Sequence, residues 1–394
     1  MEEWRTYKLS EVADLTTGFS FDGHKYAKEG IRVVRGDNVT IGSLRWDTEK
    51  DKRWNEPFSR AAEYTLQEGD IVIGMDGSRV GKNRAQITKS DLPLLIAQRV
   101  ACIRHNSKSC QEFLYYQIFS ERFVDYIKAV QTGTSIPHVS LKQIGDFPIQ
   151  LPPIDEQFKI AEVLRSLDDK ITLNNRINHN LEEQAQALYK SWFIDFEPFK
   201  DGGFVDSELG NIPKGWGVRN LLEVATLYDS KRKPLSGKDR EKMEKRYPYY
   251  GATSVMDYVD DYIFDGIYLL MGEDGSVMTD DGFPILQYVS GKFWPNNHAH
   301  VLQGCSGFTT EMLHCALLRK VIKSSVTGAV QAKISQANMK KILFPYPPKE
   351  VLKDFDSIIQ DIYREKRSIE SQNVTLSALR DNMLPQLLSG KVII

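Results

Sequence analysis

The sequence predicts an α+β protein built as one unit used twice, each unit a mixed strand-and-turn α/β domain followed by a long helix of coiled-coil type. Three observations carry that prediction. The stretch "TGTSIPHVSLKQIGDFPIQLPP" from Thr132 recurs as "TGAVQAKISQANMKKILFPYPP" from Thr327, an offset of 195 residues that places Gly133 on Gly328, Val139 on Ile334, Ser140 on Ser335 and Pro152-Pro153 on Pro347-Pro348. Each half opens alike, with "WRTYKLSEVADL" at Trp4 and "WGVRNLLEVATL" at Trp216. After each Pro-Pro the pattern becomes a long run of apolar residues spaced alternately four and three apart, the period of a coiled-coil seam.

A chain of 394 residues, 41% hydrophobic and 26% charged, can bury a large core spread over two or more domains. It contains no run of eighteen or more apolar residues and opens without a charged-then-apolar leader, so secretion and membrane insertion are not expected and a cytoplasmic protein is. Cys102, Cys110, Cys305 and Cys315 are too few and too widely spaced for a disulfide framework. His298, His300 and His314 lie near the last two cysteines but show no familiar ligand spacing, so no metal site is expected. The net charge of −2 leaves affinity for an acidic partner to local patches. Two exist: Lys231 to Arg246 holds eight basic and three acidic residues, and Arg79 to Lys108 holds seven basic residues against Asp91 alone.

Within each half, "GDIVIGMDGS" from Gly69 resembles "GIYLLMGEDGS" from Gly266, a strand-type run ending in an Asp-Gly-Ser turn. The offset is no longer constant there, so the interiors have diverged, as two domains of one architecture with different ligands would. Pro152-Pro153 suit a helix entrance, and Asp155 and Glu156 complement its dipole. The first seam reads Ile160, Leu164, Leu167, Ile171, then Asn174 and Asn178, then Leu181, Ala185, Leu188 and Trp192. The second reads Phe355, Ile359, Ile362, Lys366, Ile369, Asn373, Leu376, Arg380, Met383 and Leu387, with Asn373 at the position equivalent to Asn178. Polar seam residues cost stability and fix register and partner, which points to two helices that meet each other. Forty residues make a rod roughly 60 Å long. Between the halves, "FKDGGFVDSELGNIPKGW" reads as a linker. The expected order is a domain over 1–150, a helical region over 151–199, a linker over 200–215, a second domain over 216–346 and a second helical region over 347–394.

Catalytic signatures are missing. "GSRVGKN" from Gly77 fails as a phosphate loop, because Asp76 stands where the first glycine belongs and Asn83 where the Ser or Thr that holds magnesium belongs. No zinc-protease, nucleophile-elbow or cofactor-turn motif occurs. The matched positions of the repeat are Trp, Gly, Ser, Pro and apolar residues, which build structure rather than chemistry.

The two "TG…PP" stretches, "LEEQAQALYKSWFIDFEPF" from Leu181, "SELGNIPKGW" from Ser207 and "LRDNMLPQLLSGKV" from Leu379 together resemble the specificity subunits of type I restriction-modification systems. The resemblance spans nearly the whole chain. It implies two target recognition domains, each reading one half of a split double-stranded DNA target, and two conserved helical regions forming an antiparallel coiled coil, a pseudo-twofold arrangement. It implies no catalysis and no cofactor bound by this chain. Two adenine methyltransferase subunits using S-adenosylmethionine, and restriction subunits using ATP and Mg, are the implied partners.

On that reading basic patches grip phosphates while polar and aromatic side chains read base edges. The candidates are Arg79, Lys82, Arg84, Thr132, Ser135 and His138 in the first half, and Lys231, Arg232, Lys233, Tyr249, Tyr250, Thr327 and Lys333 in the second. Each also has a structural reading: solvated charges, threonines that close turns, tyrosines in the core. The seam candidates are Leu164, Leu167, Ile171, Asn178 and Leu181 facing Ile359, Ile362, Asn373 and Leu376. The alternatives are a single-chain restriction and modification enzyme, against which the missing methyltransferase motifs weigh, and a coiled-coil scaffold that binds proteins rather than DNA.

Overall fold

The repeated opening and the repeated "PP" stretch pair with each other. Arg5–Lys8 lies antiparallel to Pro148–Leu151, and Gly217–Asn220 lies antiparallel to Leu343–Tyr346. Each ribbon thus ties the start of a domain to its end. In the computed structural model, residues 4–58, 60–133, 135–328 and 331–392 are described. The chain divides into two compact units, Met1–Thr172 with Val374–Ile394 and Leu173–Asn373, so each unit contains part of both long helices.

In the first unit the four-stranded sheet has the order Ala13–Thr17, Val100–His105, Ile71–Gly74, Arg84–Gln86, all antiparallel. A three-stranded sheet of Arg53–Trp54, Ile31–Val34 and Leu94–Ile96 stands beside it. The second unit repeats the frame with Ala225–Leu227, Ala299–Gly304, Phe264–Gly272 and Leu286–Pro295. It then extends the same sheet through Tyr247–Tyr250 and Val255–Val259. The two interiors differ here, as the drifting sequence offset requires.

Each sheet is backed by an apolar helix, Gln111–Ile118 in one unit and Thr310–Leu318 in the other, with Phe113, Leu114, Met312 and Leu313 fully buried. The first long helix, Ile154–Phe193, begins where the Pro153 carbonyl accepts from the Glu156 and Gln157 amides. Gln157 fastens it to its domain: its side-chain amide donates to the Pro152 and Lys108 carbonyls and accepts from the Cys110 amide. The second long helix, Lys349–Leu388, has the same length of 40 residues.

The two helices run antiparallel and meet each other and their domains at once. In the first unit Ile160 and Leu164 share a core with Leu387 and Leu388, and the Asp168 carboxylate pairs with Arg380 at 2.7 Å. In the second, the Asn174 amide donates to Asn373 at 2.8 Å, Asn373 donates to Asn175 at 2.8 Å, and Tyr189 and Phe193 stack among Phe355, Ile359 and Tyr363. Asn373 therefore faces Asn174 and Asn175. Asn178, its equivalent in the repeat, is related to it by duplication and lies a turn along the partner helix. Leu167, Ile171, Leu181, Ile362 and Leu376 are half-buried along the seam.

Lys366 is the charged member of the seam. Only 9% exposed, its ammonium sits 2.7 Å from Glu182. Removing one partner of a buried pair leaves the other charge desolvated and unpaired, at a cost of about 3–5 kcal/mol, whereas replacing both can be neutral. The expected result is that Glu182→Ala lowers stability by about that much in denaturant unfolding, and that adding Lys366→Met restores most of the loss. Equal instability of the single and double variants would show that the loss does not come from an unpaired Lys366.

The stretch read as a linker is ordered against the second unit. Phe204–Val205 pairs with Ile212–Pro213, and Ile212 and Trp216 are buried in that unit's core beside Phe193. The buried Ile212, Pro213 and Trp216 outweigh the glycine content. Among the described residues no helix is long and apolar enough to cross a membrane.

Candidate nucleic-acid interface

The Asp-Gly-Ser turn and the "TG" loop of each half, about sixty residues apart in sequence, are zipped together. In the first unit the Val139 amide donates to the Met75 carbonyl at 2.9 Å and the Gly77 amide to the Pro137 carbonyl at 3.0 Å. In the second, Ile334 donates to Glu273 at 2.9 Å and Gly275 to Ala332 at 2.9 Å. A third segment joins both: the Met75 amide donates to the Arg99 carbonyl at 3.0 Å, and the Glu273 amide to the His298 carbonyl at 2.8 Å. The two domains therefore present the same three-segment cluster.

The threonines and glycines of the "TG" loops serve its shape. Thr132 exchanges backbone hydrogen bonds with His138, and Thr327 with Lys333, closing each loop. Gly133 and Gly328 have φ of +88° and +98°, and a Cβ at either would run into the backbone carbonyl three residues on. Only glycine fits there.

What the clusters hold differs. In the first unit Asp76 is gripped by two donors, His138 Nδ1 at 2.5 Å on Oδ1 and Arg99 Nη1 at 3.0 Å on Oδ2. Partial burial opposes the charge of Asp76, but the His138 and Arg99 hydrogen bonds outweigh it and hold the carboxyl below the usual carboxylate range. In the second unit Asp274 is held by His298 Nδ1 at 2.6 Å, while Lys333 stands 3.6 Å from Glu273. A cleft of about 570 Å³ opens beside the first cluster, lined by Phe21, Tyr26, Arg79, Asn83, Arg99 and Ile136 among others. Ile136, at the tip of the "TG" loop, is a large apolar side chain left exposed.

The candidate residues separate into three groups. His138, Lys333, Thr132, Thr327 and the exposed Ser135 sit in the zipped loops, with Arg79 and Lys82 exposed on the adjoining turn. Lys231 and Lys233 are exposed at the edge of the second domain. The third group is spent inside the fold. Arg84, 7% exposed, donates to the Gly81 and Phe119 carbonyls and lies against the Phe119 ring, so it stitches the basic turn to the domain. Arg232 donates to Glu273 at 2.7 Å and to the Ala299 carbonyl. Tyr249 is buried, its hydroxyl accepting from the Leu235 amide, and Tyr250 packs edge-on against Phe293. Charge and aromaticity marked these four in the sequence. Their long-range partners turn them inward.

Asp229, Glu273 and His300 also converge, with ligand-type atoms within 4.8 Å of one another. His300 Nδ1 is 2.6 Å from Asp229, and its Nε2 is 2.8 Å from the Ile334 carbonyl. Arg232 reaches both carboxylates, at 2.7 Å from Glu273 and 3.6 Å from Asp229, and supplies the positive charge a cation would bring. The cluster is an ion-pair network behind the loop rather than a set of free ligands.

Arg99 and His298 were not among the sequence candidates. Arg99 belonged to a basic run without a motif, and His298 drew notice only for its neighbouring cysteines. Their shared position, the residue before the strand that pairs with the Asp-Gly-Ser strand, becomes visible once the sheets are aligned.

Two domains of one frame, each offering its own set of polar side chains from an equivalent loop cluster, define a duplicated recognition protein. The family model described as type I restriction modification DNA specificity domain matches residues 1–183 and 213–374. The chain belongs to this family: it is a non-catalytic DNA specificity subunit of a type I restriction-modification system, with two target-recognition domains. It is 28% identical to the type I restriction enzyme MjaIX specificity subunit of Methanocaldococcus jannaschii, over 99% of this chain and 94% of that one. It is 21% identical to the HindI specificity subunit of Haemophilus influenzae over the full length of both. The crystal structure of a type I S subunit from M. genitalium shares the fold, with a TM-score of 0.57, 16% identity, and coverage of 98% of this chain and 96% of that one.

Proposed function

We propose that residues 1–150 and 216–346 each read one half of a bipartite sequence in double-stranded DNA, through the zipped loop clusters, and that the two long helices set the spacer between the halves. The observation that carries this reading is the matched cluster itself: one backbone arrangement, with Asp76, Arg99 and His138 in one domain and Asp274, His298 and Lys333 in the other. Equal scaffolds with unequal donors suit two half-sites of different sequence. Arg79, Lys82, Lys231, Lys233 and Lys333 grip phosphates, and Thr132, Ser135, His138 and Thr327 stand close to base edges. Arg84, Arg232, Tyr249 and Tyr250 act through the fold that holds those side chains.

The helices also dock two adenine methyltransferase subunits, which bring S-adenosylmethionine, and through them the restriction subunits that use ATP and Mg. Phe158, Leu173, Ile177, Ile358, Val374 and Leu379, all on the long helices and exposed, supply apolar contact area for such partners.

The test is binding of the assembled methyltransferase complex to a duplex at 50 and 200 mM salt. Six to ten phosphate contacts predict a loss of about 10³–10⁵ in affinity over that range. Salt-insensitive binding, or none, would leave the protein-scaffold reading in its place.

A further inference from the structure

Arg99 occupies a backbone conformation that its residue type disfavours. Its φ is +65°, in the left-handed region where glycine or asparagine is at ease. It is the last of the three residues, Ala97 to Arg99, that join the strands Leu94–Ile96 and Val100–His105, a place any glycine would fill without strain. Strain kept at one residue points to a use for its side chain.

That side chain is 69% exposed and bonds to Asp76 through Nη1 alone of its three nitrogens. Asp76 is in turn fixed by His138 on its other oxygen, and the loop beneath is fixed by the zipped backbone. The guanidinium is thus aimed by a carboxylate that cannot itself swing away.

Resting on the DNA-reading function proposed above, we propose that Arg99 reads a guanine in the half-site of the first domain, and that Asp76 is the residue that positions it. A guanidinium is planar and carries five N–H donors; with one edge on Asp76, another remains for the O6 and N7 acceptors that guanine shows in the major groove. A phosphate is the competing ligand for any arginine. Here the carboxylate 3.0 Å away largely cancels the charge that would draw a phosphate and adds its own repulsion. A neutral base edge does not depend on net charge, only on directed donors. Charge compensation therefore selects base over backbone. The equivalent position of the second domain carries His298 on Asp274, a different donor on the same support, as a position that sets half-site sequence should.

The experiment uses the full chain assembled with its methyltransferase subunits. Duplexes carrying every single base-pair change across the recognised sequence are measured for binding, and methylated adenines are mapped in DNA from cells expressing each variant. Arg99→Gly is the principal variant, because it relieves the left-handed strain; its melting temperature should equal or exceed that of the parent, separating lost reading from lost folding. One G·C pair in one half-site should lose its discrimination by about five- to 140-fold, with all other positions and the other half-site unchanged. Asp76→Asn should weaken discrimination at the same pair. Loss of affinity spread evenly over all sequences, with a shallower salt dependence, would make Arg99 a phosphate contact and overturn the proposal. An unchanged specificity profile would overturn it as well. A parent complex without any sequence preference fails differently, because it removes the DNA-reading function on which the proposal stands.

Discussion

Adding seven residues to both long helices, between Asp168 and Asn174 in one and between Asn373 and Arg380 in the other, lengthens the nonspecific spacer of the recognised DNA by about three base pairs. The insertions leave the Asp168–Arg380 pair and the Asn174–Asn373 pair intact, one on either side. A heptad keeps the apolar stripe in phase and adds about 10 Å to each helix, and duplex DNA rises about 3.4 Å per base pair. Both half-site sequences stay as they were. Turning one reader around the duplex weakens binding as a companion effect. A heptad placed only after Leu167 gives a harsher result: the helices are antiparallel partners, so one of the two polar pairs must break or seven residues must bulge out, and methylation is lost. Mapping methylated adenines in cells expressing each variant checks both outcomes. Methylation that survives at the original spacer would show that the helices are not the ruler.

Exchanging Met1 to Gln150 for the equivalent region of a relative changes one half of the methylated motif and leaves the other intact. The first domain is closed by its own ribbon, Arg5–Lys8 on Pro148–Leu151, which makes it a coherent piece to move. Its underside is not independent, however. Phe113, Phe147 and Ile149 share a core with Ile160, Leu164, Leu387 and Leu388, and Gln157 hydrogen-bonds Lys108 and Cys110. A donor that packs poorly there will cost stability of the kind that core mismatches usually do, about 1–3 kcal/mol. Carrying 154–172 and 374–392 from the same donor restores the fit. The readout is again the methylated sequence, and a change in both halves would mean that the domains do not read independently.

Much of this protein is written locally. The coiled-coil period, the Pro-Pro helix entrances, the glycines of the "TG" loops and the duplicated openings depend on residues within a few positions of one another, where steric limits and helix geometry act regardless of the rest of the chain. They were enough to predict two domains and two long helices, while the family came from the resemblance carried by the motif stretches. Pairings between distant segments were not legible in the same way. That the helices run antiparallel came only with the family resemblance. That Asn373 meets Asn174 and Asn175, that Lys366 meets Glu182 and that the Asp-Gly-Ser turn zips onto the "TG" loop were decided by the tertiary structure. The same holds for the site. A count of charges marks Arg79, Arg84, Arg99 and Arg232 equally, because an arginine's pattern in sequence is the same whether it is solvated, paired or buried. Folding sorted them. Arg84 found backbone carbonyls and Arg232 found Glu273, which repaid their desolvation inside the domains, while Arg99 found the Asp76 carboxylate at the rim and stayed exposed. Burial of a charge depends on partners that arrive from elsewhere in the chain, and local sequence carries no record of them.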